Sequence, residues 1–353
     1  MAQAAPSPQV WTTRSLLAWM TTAFTAKGLD SPRLCAEILL AHVIHHDAPD
    51  NSVRLRLYTE PDREAAPEEL AKLRGLVGRA LKHEPVQYLT GQAWFFGLPF
   101  FVDPRVLIPR PSSETIVETL LQELRRQRAP SVSEGSGFDT QPVAAATADA
   151  GTAEPGGTPV PAPIRPIPKR RVDATPVFLA DVCTGSGCLG IALAKHLHGA
   201  RVLMSDISID ALEVAAANAA RHNVHERIEL LPGDLLAPIG ERLPGFAPEG
   251  LDALVANPPY IPDHEWEAIE PNVKDHEPHS ALRAGRDGMA FVAPLVQHAP
   301  GLLRPGGWLL VEIAACTSAA VLEAARGHAL LEGARVLKDG DALDRVMVAR
   351  RRA

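Results

Sequence analysis

The sequence predicts an α/β fold in which a mainly parallel sheet, covered by helices, follows a small helical domain. From Val177 onward, strand-like and helical segments alternate, which is typical of a parallel sheet with helices on both faces. Between Val10 and Leu81, apolar residues recur at spacings of three and four, which indicates helices. Glycine-rich or acidic turns follow three consecutive predicted strands, where ligands of such sheets bind.

The composition narrows the class of protein. At 353 residues, with 46% hydrophobic and 22% charged residues, the chain is expected to form two globular domains. Its net charge of −7 argues against direct nucleic-acid binding, which depends on neutralising phosphates. Four scattered cysteines support neither a disulfide framework nor a metal site. No apolar run of roughly 20 residues and no secretory signal are evident, so we expect a cytoplasmic protein with no membrane partner.

Four segments are predicted along the chain. Residues 10–85 form the helical domain, and residues 86–128 form a β-hairpin within Val86–Arg110 and a connecting helix over Ser112–Arg126, capped by Ser112 or Ser113. Residues 129–172 contain no leucine and many Pro, Ala and Gly residues, which predicts a disordered insertion. Residues 173–353 form the α/β domain.

Five strands of the α/β domain are predicted from short apolar runs. They cover Val177–Val182, Arg201–Ser205, Arg227–Leu231, Leu251–Ala256 and Gly307–Ile313. The first strand runs directly into Cys183-Thr184-Gly185-Ser186-Gly187, and a helix follows. Glycines at such a turn let the backbone approach a ligand, and the helix N-terminus offers free N–H groups. A cofactor site is therefore predicted here.

Two acidic turns extend this predicted site. Asp206 ends the second strand, where a carboxylate can accept hydrogen bonds from ribose hydroxyls. Asp234 and Leu235 follow the third strand, within reach of an adenine ring. The spacing Gly185-x-Gly187-x-x-Gly190 also satisfies the dinucleotide fingerprint. The glycine turn alone therefore does not decide between a nicotinamide cofactor and S-adenosylmethionine.

The tetrapeptide Asn257-Pro258-Pro259-Tyr260 follows the fourth strand and is the candidate catalytic and substrate-binding motif. A residue before proline is kept extended, so Asn257 is held at the strand end. The Asn257 side-chain oxygen and the Pro258 carbonyl can accept both hydrogens of a planar NH₂ group, which turns its lone pair toward a methyl donor. Tyr260 can pack against the planar group. This chemistry needs no covalent nucleophile and no metal.

With these residues the chain resembles the bacterial protein-(glutamine-N5) methyltransferase family, in the branch that acts on peptide chain release factors. The resemblance covers nearly everything except the 129–172 insertion and the extreme N-terminus. Besides the glycine turn and the tetrapeptide, the segments that carry it are Ala36–Val43, Pro85–Gly91, Leu107–Glu114, Glu277-Pro278, Ala281-Leu282 and Asp287–Met289.

The resemblance implies a Rossmann-like class I methyltransferase sheet of seven strands, with one antiparallel strand within Asp344–Arg350. It implies that Cys183–Gly187 and Asp206 hold S-adenosylmethionine, that Asp234 and Leu235 contact the adenine, and that Asn257–Tyr260 hold the glutamine. The helical domain would grip the release factor. Cys183 stands where the family usually has glycine, and Ser112-Ser113 replaces the more usual Asp-Thr.

Other functions remain open from the residues alone. A sister branch methylates a glutamine of a ribosomal protein, and an adenine-N6 methyltransferase of DNA or RNA presents the same planar NH₂. A nicotinamide-dependent dehydrogenase would use the glycine turn and Asp206 but leaves Asn257–Tyr260 without a function. A binding protein that retains the fold without catalysis is the fourth alternative.

Overall fold

The computed structural model describes residues 10–44, 53–128 and 176–353. The helices are Thr13–Lys27 (α1), Pro32–Ile44 (α2), Val53–Thr59 (α3), Pro67–Ala80 (α4), Val86–Thr90 (α5), Glu114–Arg128 (α6), Cys188–His196 (α7), Ile209–Arg221 (α8), Ala237–Phe246 (α9), Pro271–Lys274 (α10), Val292–His298 (α11) and Ser318–Gly327 (α12). The strands are Gln92–Phe95 (β1), Leu98–Phe101 (β2), Val177–Val182 (β3), Ala200–Asp206 (β4), Ile228–Pro232 (β5), Leu251–Ala256 (β6), Leu303–Glu312 (β7), Leu331–Lys338 (β8) and Asp344–Arg351 (β9).

Helices α1 to α5 share one apolar core, as the three- and four-residue spacing predicts. Its fully buried members include Met20, Phe24, Leu39 and Leu40, and Leu73 and Val77 of α4 pack against them. Burying a large aliphatic side chain contributes about 1.5 to 3 kcal/mol, and short helices depend on such packing rather than on their own propensity.

A hairpin of β1 and β2 connects the helices to the sheet, and it is shorter than the sequence suggests because Val86–Thr90 is helical. The side chain of Asn218, on α8, joins the hairpin to the α/β domain. Its Nδ2 donates to the carbonyls of Phe101 (3.0 Å) and Ser186 (2.9 Å), and its Oδ1 accepts from the Phe101 N–H (2.7 Å). The hairpin and the glycine turn are thereby fixed to the same helix.

The main sheet has seven strands in the order β5-β4-β3-β6-β7-β9-β8, and β9 runs antiparallel to both of its neighbours. Buried apolar residues cover both faces, and β6 is buried along its whole length. The central strands β3 and β6 are adjacent and in register from Leu179 with Ala253 to Val182 with Ala256. The segments that follow Val182 and Ala256 therefore begin side by side.

The predicted strands and the antiparallel last strand are confirmed to within a few residues. The predicted cap of the connecting helix is wrong: a short 3₁₀ turn over Pro111–Ser113 precedes α6, and the hydroxyls of Ser112 and Ser113 donate to Glu312 instead. The predicted disorder of residues 129–172 falls wholly outside the described residues. The domain boundaries stay a prediction. Within the described ranges, no helix is both long and apolar enough to cross a membrane.

Candidate functional site

A cavity of about 670 Å³ opens at the carboxyl ends of the central strands, where the sequence places the site. Its volume suits a small-molecule ligand. Nine of the predicted site residues line it: Cys183, Thr184, Gly185, Ser186, Asp206, Asp234, Leu235, Asn257 and Pro259. Gly187, Pro258 and Tyr260 do not belong to this lining. The residues after β3, β4, β5 and β6 thus meet around one space.

The glycine turn after β3 is built from left-handed backbone. Cys183, Gly185 and Gly187 have φ values of 58°, 53° and 83°. A Cβ atom on Gly187 would lie 2.8 Å from Cδ1 of Ile191 and 3.0 Å from Cε of Met204, so this position packs beneath the turn. A Cβ atom on Gly185 would meet nothing within 4 Å, because that glycine borders the open cavity. Cys183 thus adopts a left-handed conformation that favours glycine.

A fully buried carboxylate anchors the turn from below. Asp181, near the end of β3, accepts hydrogen bonds from Thr184 Oγ1 (2.6 Å) and from the Gly190 N–H (2.9 Å). Burial raises the pKa of Asp181 from 3.8 to about 7, although both hydrogen bonds oppose this shift. Asp181 therefore joins the two ends of the turn to the strand.

Asp206, at the end of β4, fixes the rim of the cavity. One carboxylate oxygen accepts from the Gly185 N–H (2.9 Å) and the other from the Ser208 N–H (2.9 Å). Burial raises its pKa above the ordinary aspartate value. A carboxylate offers about four acceptor positions, so Asp206 retains capacity for a further hydroxyl donor.

The turn after β6 holds Asn257 at the floor of the cavity. Its Nδ2 donates to Ser113 Oγ (3.0 Å), while its Oδ1 is buried and has no hydrogen-bond partner among the described residues. An acceptor buried without a partner costs about 1 to 3 kcal/mol. Such a cost at a cavity is typical of a group whose partner is a ligand.

Tyr260 lines a second cavity next to the first. It lines a neighbouring space of about 400 Å³, which shares Leu107 and Ala281 with the first. Its hydroxyl donates to Glu312 Oε1 (3.4 Å), and the Arg345 guanidinium lies 5.9 Å from its ring centre. Burial and the nearby Glu312 raise the pKa of Tyr260 above the usual range. The ring thus lines the neighbouring space and not the main cavity.

Sequence reasoning missed two residues that contact the motif, Ser113 and Glu312. Ser113 was predicted only as a possible helix cap. Glu312 lies at the end of the apolar run of β7 and is completely buried. Burying a carboxylate next to the apolar run Trp308–Val311 costs free energy unless hydrogen-bond donors surround it, so the charge of Glu312 was the available signal.

The charges around the cavity suit a cationic ligand. Neither Asp206 nor Asp234 takes part in an ion pair among the described residues, whereas Arg105 and Arg283 of the lining are paired with Asp103 and Asp263. Carboxylates without an ion-pair partner favour a nearby sulfonium, and the two lining arginines, already paired, are less available to a pyrophosphate. The open space at Gly185 gives a flat ligand access to the backbone. The residues present therefore fit S-adenosylmethionine better than a nicotinamide dinucleotide.

The strand order, the glycine turn after the first sheet strand and the Asn-Pro-Pro-Tyr turn after the fourth define a class I methyltransferase that uses S-adenosylmethionine. Residues 15–91 match the PrmC N-terminal domain, and residues 171–275 match the Methyltransferase small domain.

Relatives extend the match over nearly the whole chain. The release factor glutamine methyltransferase of Geobacter sulfurreducens is 37% identical over 306 residues, which cover 87% of this chain and 85% of that protein. The same enzyme of Chlorobaculum tepidum is 36% identical over 341 residues, 96% of this chain and 97% of that protein. That of Moorella thermoacetica is 34% identical over 341 residues, which cover 97% of this chain and 99% of that protein. The chain belongs to the release factor glutamine methyltransferase family.

Proposed function

We propose that the protein methylates the side-chain amide nitrogen, N5, of the glutamine in the Gly-Gly-Gln motif of peptide chain release factors. The observation that carries the proposal is the unpartnered Oδ1 of Asn257, an acceptor at the cavity beside the glycine turn. A primary amide is a ligand that needs such an acceptor. The names and coverage of the relatives support the same substrate.

Each part of the cavity has a separate proposed role. The turn Cys183–Gly187 and Asp206 hold the cofactor, with Asp206 on its ribose hydroxyls, and Asp234 and Leu235 contact its adenine. When bound, S-adenosylmethionine supplies a sulfonium methyl group that a nucleophile can take. The two free carboxylates also favour the cation over its neutral product.

Asn257 and Pro258 orient the amide. Their two carbonyl oxygens accept its two N–H bonds, which draws electron density toward nitrogen and directs the lone pair at the methyl group. Bound S-adenosylmethionine would supply the methyl group in exchange for its bond to sulfur, and the methylated amide nitrogen would lose one proton to solvent. Tyr260 and Pro259 flank the amide, Tyr260 from the neighbouring cavity.

The helical unit supplies a second contact with the release factor. Large apolar side chains are exposed on it, among them Trp19, Leu55 and Tyr58, and these are the candidate contact residues. Binding energy from a remote surface can position the glutamine, so a short peptide should lose rate as well as affinity. A translation factor as substrate also implies that the protein acts in the cytoplasm.

Mass spectrometry after incubation with labelled S-adenosylmethionine tests the substrate. Four acceptors are compared: an intact release factor, its isolated loop peptide, a ribosomal-protein preparation and adenine-containing DNA. We expect label on the loop glutamine of the intact release factor, and much slower labelling of the peptide. Preferential labelling of ribosomal protein or DNA would overturn the proposal, and equal rates on peptide and protein would remove the docking role of the helical unit.

A further inference from the structure

A buried carboxylate with no part in the chemistry described so far lies behind the Asn-Pro-Pro-Tyr turn. Glu312 accepts hydrogen bonds from the hydroxyls of Ser113, Ser112 (3.3 Å) and Tyr260 (3.4 Å). Burial raises the pKa of Glu312, while the Ser113 hydrogen bond and the positive charge of Arg345 oppose the shift. Three hydroxyl donors and a nearby cation are the surroundings that a carboxylate, rather than a carboxylic acid, requires.

The hydrogen-bonding capacity of Ser113 then determines how Asn257 is oriented. A serine hydroxyl has one proton to donate and two lone pairs that accept. Because a carboxylate only accepts, the single proton of Ser113 is committed to Glu312. Ser113 can therefore meet Asn257 only as an acceptor, and the group facing it must be the Nδ2 donor, 3.0 Å away. The Asn257 Oδ1 is consequently the atom left without a partner.

We propose that Ser113 and Glu312 are positioning residues that fix the Asn257 amide with its oxygen available to the substrate. This inference rests on the proposed function of Asn257 as the acceptor for the glutamine amide. If Glu312 could donate, the Ser113 proton would be free to bond Oδ1. The Asn257 amide could then rotate by half a turn and present NH₂ where an acceptor is needed, as an amide's two ends have nearly the same shape.

The variants Glu312→Gln and Ser113→Ala test this positioning of Asn257 by Glu312 and Ser113. The first keeps the shape of the side chain but introduces a donor, and the second removes the acceptor for Nδ2. We expect turnover to fall about tenfold to a hundredfold in each, as for a misplaced reacting group, with KM for the release factor and the affinity for S-adenosylmethionine changed only several-fold. Ser113→Thr keeps the hydroxyl and should restore turnover to within several-fold.

A matched control is available on the same edge of the sheet. Ser318→Ala removes another serine hydroxyl that donates to a carboxylate, Asp344 Oδ2 at 2.8 Å, outside the cavity lining. It should leave turnover near that of the unmodified protein. A loss in Ser318→Ala as large as in Ser113→Ala would assign the effect to general stability and overturn the inference.

Combination with Asn257→Ala separates this inference from the proposed function. In single-turnover assays on the full chain, Ser113→Ala and Glu312→Gln should cost nothing further once Asn257 is replaced, because they act through it. Equal losses of turnover in the unmodified protein and in Asn257→Ala would overturn the positioning role of Ser113 and Glu312 alone. Full turnover of Asn257→Ala itself would overturn both. If Ser113→Ala does not fold, as judged by its thermal transition, Glu312→Gln carries the same test.

Discussion

The two turns at the carboxyl ends of β3 and β6 border the same cavity but are constructed differently. The glycine turn is held by hydrogen bonds between residues close in sequence: Asp181 bonds Thr184 and Gly190, three and nine positions away, and Asp206 bonds Gly185, 21 positions away. The Asn257 turn depends on Ser113, 144 positions away. Ser113 in turn is bound to Glu312, 199 positions away.

This difference separates two ways of making a binding site. In the glycine turn, the backbone conformation is the functional feature, and the glycines themselves largely determine that conformation. In the Asn257 turn, the functional feature is the orientation of one side-chain amide, which the tetrapeptide cannot fix alone. Substitutions in the first turn should therefore disturb stability and cofactor binding, and those in the second should disturb turnover.

The largest effect is expected for Asn257→Ala. Removing one group that stabilises a transition state costs about a hundredfold to a thousandfold in turnover. Calorimetric titration with S-adenosylmethionine should show an affinity within several-fold of the unmodified protein, because the glycine turn is intact. Near-normal turnover in a folded variant would show that the tetrapeptide acts only as a turn.

The glycine turn itself is broken most directly by Gly187→Ala. The added Cβ atom would overlap the buried Ile191 and Met204 side chains, at a φ of 83° that disfavours any side chain. We expect a loss of about 2 to 4 kcal/mol in the free energy of unfolding, measured by thermal or urea denaturation. Gly185→Ala is the matched control, because its φ of 53° is also left-handed but the space around Cβ is open. Equal losses in the two variants would contradict the packing role of Gly187.

Asp206→Ala should weaken cofactor binding without unfolding the protein. The variant loses a charge-assisted hydrogen bond worth roughly 1.5 to 3 kcal/mol, which is about ten- to 150-fold in dissociation constant. It also removes the acceptor of the hydrogen bond that the Gly185 N–H donates. Asp341→Ala, at an exposed aspartate of the loop after β8, serves as the control in calorimetry. Unchanged affinity in Asp206→Ala would exclude the proposed ribose contact.

The smallest effect is expected for Cys183→Gly. Glycine relieves the strain of a φ of 58°, worth about 1 to 2 kcal/mol, but it adds about 0.5 to 1 kcal/mol of chain entropy to the unfolded state and removes a partly buried side chain. The changes nearly cancel, so the midpoint of thermal unfolding should move by only a few degrees. A large stabilisation would mean that the cysteine imposes more strain on the turn than its backbone angle indicates.

The sequence by itself determined most of the helices and strands and the glycine turn. The apolar spacing of α1, α2 and α4, the buried strands and the glycines of residues 183–187 all reflect interactions within a few residues, which a pattern records directly. The residues Asn257–Tyr260 were also identifiable, since proline restricts the backbone conformation of the preceding residue in any fold.

Only the tertiary structure decided which end of the Asn257 side-chain amide is left free to bond a ligand. The sheet order places β7 beside β6, and the start of α6 lies against the ends of both strands, which brings Ser113 and Glu312 to the turn. No periodicity connects positions 113, 257 and 312, because their contacts arise from strand pairing across long stretches of chain. A hydroxyl that can donate only once then fixes the amide, and that constraint exists only when all three side chains meet.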